Sequence, residues 1–592
     1  MAIFVALTII LFIPSLITIH RNMLLATYLW QIKEYKLNRF QNYILHNEDP
    51  QTISRLVRPV SFILLFACLI FLANSSLSFL IVLPLLVFGY FTFETLRIFA
   101  QFIGKRLVMP KKSLRNLMIM AGGFLFTTAP VAFLVISFLG INLSPAESGE
   151  GIFSGNLFEV QQVNGINVIP LSTFILFFYS ITSLLFDILS PFIVSLFVAM
   201  TFPFAFVSHK ILVDKAKKKL KEFPNLKVIA VTGSYGKSTT KEILYELLKD
   251  KFKVTKTPKN FNTDIGIAQT ILSDLKSGTE IFIAEMGAYR IGEIKRATKV
   301  LRPDIAVVTG VNEQHVSLFG SIENTFKAKY EIVEALPEDG VAILNGNNEY
   351  TIRMAEKSTH KEIMYFTSLK DEVAAGVAIV EAKSKFPDAS RSTLIAADIE
   401  KVGGKVSFKL LQNNNKFTMS VPLSDVHNVS NLLAAMAACL EVGLSFDEVI
   451  KIVEKAEFKL PHLNMKSGIN DSEIIDDSYN TNPDGFVIAL KKLGESKKSK
   501  RIAVTQGIIE LGAHKGTVYK RIAPAISSKA TCLVTNDELL CEIVDEEGGE
   551  IEIIFVKSES EMLGEIISKA DRDTVFLFEG NIPPRIKEQT VL

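Results

Sequence analysis

One stretch constrains the second half of this chain more than any other: Val228-Ile-Ala-Val-Thr-Gly-Ser-Tyr-Gly-Lys-Ser-Thr-Thr-Lys-Glu242. Residues 228–232 are a short, β-branched apolar run and read as a buried strand. Residues 238–249, with Ile243, Leu244, Leu247 and Leu248 at helical spacing, read as a helix. Between them Gly233 and Gly236 permit a tight turn. A strand feeding a glycine turn and a helix start gathers free amide N–H groups and the positive end of the helix dipole at one spot, where a phosphate can sit. Lys237 is placed to reach the outer phosphates of a nucleotide, and the Ser238 hydroxyl to ligate Mg²⁺. The loop is shorter than the common eight-residue phosphate loop, because Val231 stands where the first glycine of that motif would be.

With 592 residues, several domains are expected. A net charge of +2 gives no argument for a nucleic-acid partner. The apolar excess lies almost wholly before residue 209, in runs at 3–19, 59–73, 77–95, 116–139 and 168–208. The last run, carrying Asp187 and Pro191, is long enough for two helices, so five or six passes are expected. Residues 28–45 suggest a basic amphipathic segment, a plain solvated helix being the alternative. Asp187 marks either a functional pocket or a helix end near the interface. Basic segments at 97–115 and 210–221 fall on the cytoplasmic side by the positive-inside rule, and the lysine- and arginine-free loop 140–167 falls outside. The lysine-rich stretch 210–221 is suited to lie against membrane lipid. Cys68, Cys439, Cys532 and Cys541 show neither metal spacing nor a disulfide framework, which fits a reducing compartment.

From residue 211 the texture changes to short apolar strands alternating with amphipathic helices, as at 281–284, 305–308 and 341–344. This predicts an α/β nucleotide-binding domain with a mainly parallel sheet, hairpins within 376–422, helix over 428–457, and a further alternating unit over 460–592. Glu285 ends a predicted strand and so points to the carboxyl edge of the sheet, where ligands of open α/β folds collect. His315 follows the next strand at the same edge, and Lys329 comes one helix later.

Residues 225–592 resemble the central and C-terminal domains of the Mur ligases, in the D-alanyl-D-alanine-adding, MurF-like branch. The resemblance rests on Gly233-Ser-Tyr-Gly-Lys-Ser-Thr239, Asn260-Phe-Asn262, Glu285-Met-Gly-Ala288, His315, Ala328-Lys329, Leu344-Asn345, His427-Asn428 with Asn431, Asp476-Asp-Ser-Tyr-Asn-Thr-Asn-Pro483 and Glu510-Leu-Gly512, all in family order. It implies a P-loop central domain (211–458) and a Rossmann-like C-terminal domain (459–592), and the apolar runs place an α-helical membrane domain (1–210) ahead of them. The apolar runs and the lysine and arginine distribution predict a multi-pass membrane protein with both catalytic domains in the cytoplasm. The implied reaction is ATP- and Mg²⁺-dependent: a carboxylate of a cell-wall precursor is activated as an acyl phosphate and joined to an amino acid or dipeptide. Gly233, Ser234, Tyr235, Gly236, Lys237, Ser238 and Thr239 would contact the nucleotide, joined by Asn345, Asp477 and Asn480. Ser238, Glu285, His315 and Lys329 would hold Mg²⁺, the lysine as a carbamate, and Lys237, His315 and Lys329 would be catalytic.

The chain also departs from the family pattern. Asp425-Val426 stand before the His-Asn pair in place of glycine and a basic residue, Leu463-Asn464 replace an expected arginine, and Glu579-Gly-Asn581 replaces Lys-Gly-Ser. Apolar helices stand where the family holds its UDP-sugar, which points to a lipid-linked acceptor; a simple anchor with a nucleotide-linked acceptor is the alternative. A ligase building another polymer, such as a poly-γ-glutamate-like chain, remains open. An ABC-type exporter half fails for want of a Leu-Ser-Gly-Gly signature, and the set Lys237, Ser238, Glu285, His315 and Lys329 argues against an inactive scaffold.

Overall fold

A computed structural model describes residues 2–32, 35, 76–103, 110, 113–143, 161–163, 166–168, 171–258, 261–367, 392–412, 415–423, 425–458, 464–478 and 482–592. The chain divides into two compact units, Met1–Ser208 and His209–Leu592.

The first unit is built from the helices Ala2–Ile32, Ser76–Ile103 and Leu114–Leu143, the greater part of Leu171–Leu220, and a hairpin of β1 (Gln161–Val163) and β2 (Ile166–Val168). Among the described residues one stretch, Phe177–Leu220, is long and apolar enough to cross a membrane. The run at 59–73 and most of the amphipathic segment at 28–45 lie outside the described residues.

Where the sequence suggested two helices after residue 168, a single helix continues through Pro191 and Pro203. A proline inside a helix leaves the carbonyl four residues earlier without its N–H donor. For Pro191 that carbonyl belongs to Asp187, and the Ser190 hydroxyl donates to it at 2.8 Å. The orphan is satisfied locally, so the helix need not break. Asp187 is buried inside this helix and not at its end; it accepts from Asn22 (2.6 Å) and Tyr90 (2.9 Å), tying three helices together.

The second unit holds two sheets. The larger has the order β11-β10-β9-β8-β7-β6-β3-β5-β4. Its strands are β3 (Lys227–Thr232), β4 (Val254–Lys256), β5 (Ile281–Glu285), β6 (Ile305–Val308), β7 (Val341–Asn345), β8 (Lys361–Thr367), β9 (Ser392–Val402), β10 (Lys405–Gln412) and β11 (Asn415–Val421). β4 through β9 pair in parallel, and β9, β10 and β11 form the expected antiparallel extension. The turn at Gly403-Gly404 joins β9 to β10; Asn413 and Asn414 of the second predicted turn lie outside the described residues.

Successive strand residues alternate between two buried faces. Ala230, Phe282, Ala306 and Ala342 pack on one side, while Ile229, Ile283, Ile305 and Ile343 pack on the other. Burial on both faces explains why these strands read as continuous apolar runs. The helices Lys237–Leu248 and Asn428–Glu441 cover the second face. The predicted helical stretch over 428–457 is two helices, Asn428–Glu441 and Phe446–Lys455, the latter opened by a Ser445/Glu448 capping box.

The smaller sheet has the order β12-β13-β17-β14-β15-β16. It comprises β12 (Asn464–Ser467), β13 (Glu473–Asp477), β14 (Lys500–Thr505), β15 (Cys532–Thr535), β16 (Glu552–Phe555) and β17 (Thr574–Glu579). All its pairings are parallel except β12 with β13. Cys439, Cys532 and Cys541 are free thiols.

Candidate active site

Chain order reverses around β3: the strands that follow it lie first on the β5 side and then on the β6 side. Ligands of open α/β sheets bind at such a switch point, beyond the carboxyl ends of the strands. The phosphate loop leaves β3 at this place. Gly233 has φ 150°, and a Cβ there would lie 1.9 Å from Thr309 Oγ1. Gly236 has φ 73°, and its Cβ would lie 2.4 Å from Asn431 Oδ1. Both positions therefore demand glycine for backbone conformation and for space. The loop is held from β6, where Ser234 N–H donates to Gly310 O at 2.8 Å and Asn312 N–H donates to Ser234 Oγ at 3.1 Å.

Glu285 stands at the end of β5, 2% exposed. Its Oε2 accepts from Ser238 Oγ at 2.9 Å and from Lys241 Nζ at 3.2 Å, and its Oε1 from Asn262 Nδ2 at 3.3 Å. A carboxylate beside a hydroxyl at the head of a helix is a hard-oxygen pair of the kind that holds Mg²⁺ together with nucleotide phosphates. The pair fits that ion. Lys237 lies at the first turn of the same helix, its ammonium donating to Gly233 O at 2.7 Å.

Removal from water pushes Lys237 below the usual lysine range, and the Glu285 carboxylate opposes the shift. Lys329, in the helix Ile322–Glu334, is 4% exposed, and its side-chain ammonium shows no hydrogen bond or ion pair among the described residues. Burial drives its ammonium well below the ordinary value, and the charge of Lys237 drives it further. His315 is lowered chiefly by burial, while Glu510 raises it and Lys237 and Lys329 lower it. Lys237, His315 and Lys329 thus share one electrostatic neighbourhood.

His315 adopts a left-handed backbone conformation (φ 60°), hydrogen-bonds through Nδ1 to the Glu510 carboxylate, and meets the Tyr289 ring edge-on with centroids 4.8 Å apart. Asn345 ends β7, buried, and its Nδ2 donates to Thr309 O at 2.8 Å, beside the loop. Asp477 ends β13 and makes no hydrogen bond to the phosphate loop; Asn480 lies outside the described residues. Tyr235 is held by its backbone, its carbonyl accepting from Thr309 Oγ1.

Sequence reasoning missed Lys241. It is 1% exposed and ion-paired with Glu285. Its position three residues after Ser238, on the same helical face, was the available signal. It also left Glu510 and Asn312 without a role. Their partners lie far off in sequence, and Asn312 Nδ2 donates to Asp484 Oδ2 at 2.7 Å.

Residues 231–439 match the family model of the Mur ligase middle domain, and residues 463–582 match that of the Mur ligase, glutamate ligase domain. Together these span more than half of the chain, which belongs to the Mur ligase family. Within that family it is similar to the UDP-N-acetylmuramoyl-tripeptide--D-alanyl-D-alanine ligase of Bacillus subtilis (strain 168), 32% identical over 314 residues, or 53% of this chain and 62% of that protein. The enzyme of the same name from Escherichia coli (strain K12) is 28% identical over 299 residues, covering 50% of this chain and 62% of that protein. The chain thus spans less than two thirds of the length of these relatives.

Its fold is similar to that of MurF from Acinetobacter baumannii (TM-score 0.53, 24% identity, 63% of this chain and 78% of that one). It is also similar to that of MurF ligase from Thermotoga maritima in complex with ADP (TM-score 0.50, 24% identity, 64% and 82%).

Proposed function

We propose that this chain is a membrane-anchored, ATP-dependent amide ligase that adds an amino acid or dipeptide to a peptidoglycan-type cell-wall precursor. Residues 1–210 form the membrane region, and the domains 211–458 and 459–592 work in the cytoplasm. The observation that carries the reading is the meeting of Lys237, Ser238 and Glu285 at the carboxyl ends of β3 and β5, in a chain with the Mur ligase domain pair. The name of the Bacillus subtilis relative suggests D-alanyl-D-alanine as the amine donor.

The loop amides and Lys237 take the outer phosphates of ATP and stabilise the charge that develops on them during transfer. A precursor carboxylate oxygen attacks the γ-phosphorus and ADP leaves. The donor amine then attacks the acyl carbon, phosphate departs, and the amine gives up its proton. Mg²⁺, when bound, neutralises phosphate charge; Ser238 and Glu285 would hold it, with His315 and a modified Lys329 at a second position. A free Lys329 ammonium repels a cation. Its amine, from which burial and Lys237 make the proton easier to lose, adds to CO₂ with loss of a proton, and the resulting carbamate would supply an oxygen ligand.

The test is mass spectrometry of the products of full-length protein in lipid nanodiscs, given ATP, D-alanyl-D-alanine and muramyl peptides linked either to nucleotide or to polyprenyl phosphate. ATP-dependent amide product is expected with the lipid-linked acceptor. No product from any acceptor and donor rejects the ligase reading, and equal turnover of the nucleotide-linked acceptor rejects only the lipid-linked one. Lys329→Ala should lose activity and recover part of it with added short-chain carboxylates. Full activity in that variant, without a carbamate mass on the wild type, removes the modification from the scheme.

A further inference from the structure

His315 and Glu510 lie 195 positions apart, one in the loop after β6 and the other in the loop after β14, and they meet through more than one contact. The His315 Nδ1 hydrogen-bonds to a Glu510 carboxylate that is 3% exposed. Two residues on, Ser317 N–H donates to the Glu510 carbonyl at 3.0 Å. Both residues occupy the left-handed backbone region, at φ 60° and 62°, without being glycine. Non-glycine residues stay in that sparsely populated region where surrounding contacts over-determine them, and such residues cluster at functional sites.

The same short segment takes two further grips from the 482–521 region. Asn312 donates to Asp484 Oδ2 at 2.7 Å, and Arg521 makes a bidentate pair with Glu313 at 3.0 and 3.1 Å. At its other end the segment touches the phosphate loop through Asn312 and Ser234.

With Glu510 ionised its carboxylate can only accept, which requires the proton of the His315–Glu510 contact on Nδ1. In the neutral imidazole this leaves the lone pair on Nε2. We propose that Glu510 is a positioning residue: lent by the smaller-sheet domain, it fixes the tautomer and ring orientation of His315 so that Nε2 faces the nucleotide's metal ion. The inference rests on reading His315 as a ligand toward that ion. It goes beyond that reading in making the ligand incomplete until the 482–521 region is docked on residues 312–317. A metal-bound histidine ordinarily has its other ring nitrogen held in this way by a carboxylate or carbonyl.

The experiment uses full-length protein labelled with ¹⁵N-histidine, free of metal, with His315→Asn to identify the resonances of that ring. The wild type should show the Nδ1–H tautomer, Glu510→Gln should keep it because its amide oxygen still accepts, and Glu510→Ala should lose it. A wild-type ring protonated on Nε2, or an unchanged tautomer in Glu510→Ala, overturns the proposal. In a parallel Mn²⁺ titration with ADP followed by electron paramagnetic resonance, Glu510→Ala should weaken the ion by about 10- to 100-fold. Glu510→Gln should stay within about threefold of the wild type, since it keeps the acceptor. Equal Mn²⁺ binding by wild type and alanine variant overturns the proposal as well. Neither readout requires amide formation, so failure of the ligase assay and failure of this inference are separate results.

Discussion

The two mainly parallel sheets of the second unit end in buried carboxylates that the chain treats in opposite ways. Glu285, at the end of β5, is surrounded by donors: Ser238, Lys241 and Asn262. Glu579, at the end of β17, is fully buried against a second acid. The charge acting on it is that of Asp477, its register partner on β13. Burial and this like charge hold Glu579 far above the ordinary carboxylate range, and Asp477 is raised to about 6, chiefly by burial. The same strand-end position gives a donor-surrounded carboxylate suited to cation and phosphate chemistry in one sheet and a carboxyl raised by burial beside a second acid in the other. Neighbouring donors, and not the residue type, decide which.

The largest expected effect breaks the first edge. Lys237→Ala should lower kcat for ATP turnover by on the order of 10³-fold, about 4 kcal/mol of transition-state stabilisation. Undiminished turnover in a coupled ADP-release assay would mean that the loop does not carry the chemistry.

Next comes the ion pair beneath the loop. Lys241 and Glu285 are 1% and 2% exposed, and removing one partner from a buried pair leaves an uncompensated charge. Lys241→Met should cost about 3 kcal/mol of stability, the low end for such a break. Added Mg²⁺ should restore part of the loss by replacing the cation at Glu285. A melting temperature equal to that of the wild type, with or without Mg²⁺, would show that Ser238 and Asn262 suffice to hold the carboxylate.

The smallest effect belongs to the second edge, where the sign is opposite. A carboxyl whose folded-state pKa is raised adds stability that is fully present below the unfolded value near 4 and is lost as pH rises through the folded value. With Asp477 raised to about 6 and Glu579 raised well above the ordinary carboxylate range, native stability should fall as pH rises from about 4 through 6. Glu579→Gln, which cannot ionise, should flatten that fall and gain about 1 kcal/mol at pH 8, a few degrees of melting temperature. Parallel melting curves for variant and wild type across that range would show that the two acids do not share a proton.

Much of this was legible in the sequence for a local reason. Strand, glycine turn and helix are encoded by torsional preference and hydrophobic period within some twenty residues, so the phosphate loop, Ser238 and the strand-end placement of Glu285 followed from residues 228–285 alone. The antiparallel extension β9–β11 was readable from its turn residues for the same reason. The unbroken helix through Pro191 was not. A proline reads as a stop unless one knows that Ser190 supplies the missing donor to Asp187.

Partners were harder still to read. Lys241 meets Glu285 because β3 and β5 are adjacent, His315 meets Glu510 because the two sheet domains dock, and Glu579 meets Asp477 because β17 inserts beside β13. Sequence by itself determined which side chains stand at the strand ends and loops, since that depends on local backbone geometry. Only the tertiary structure decided which of them face one another, because strand order and docking are set by the packing of the whole domain, and an ionisable group takes its character from what it faces.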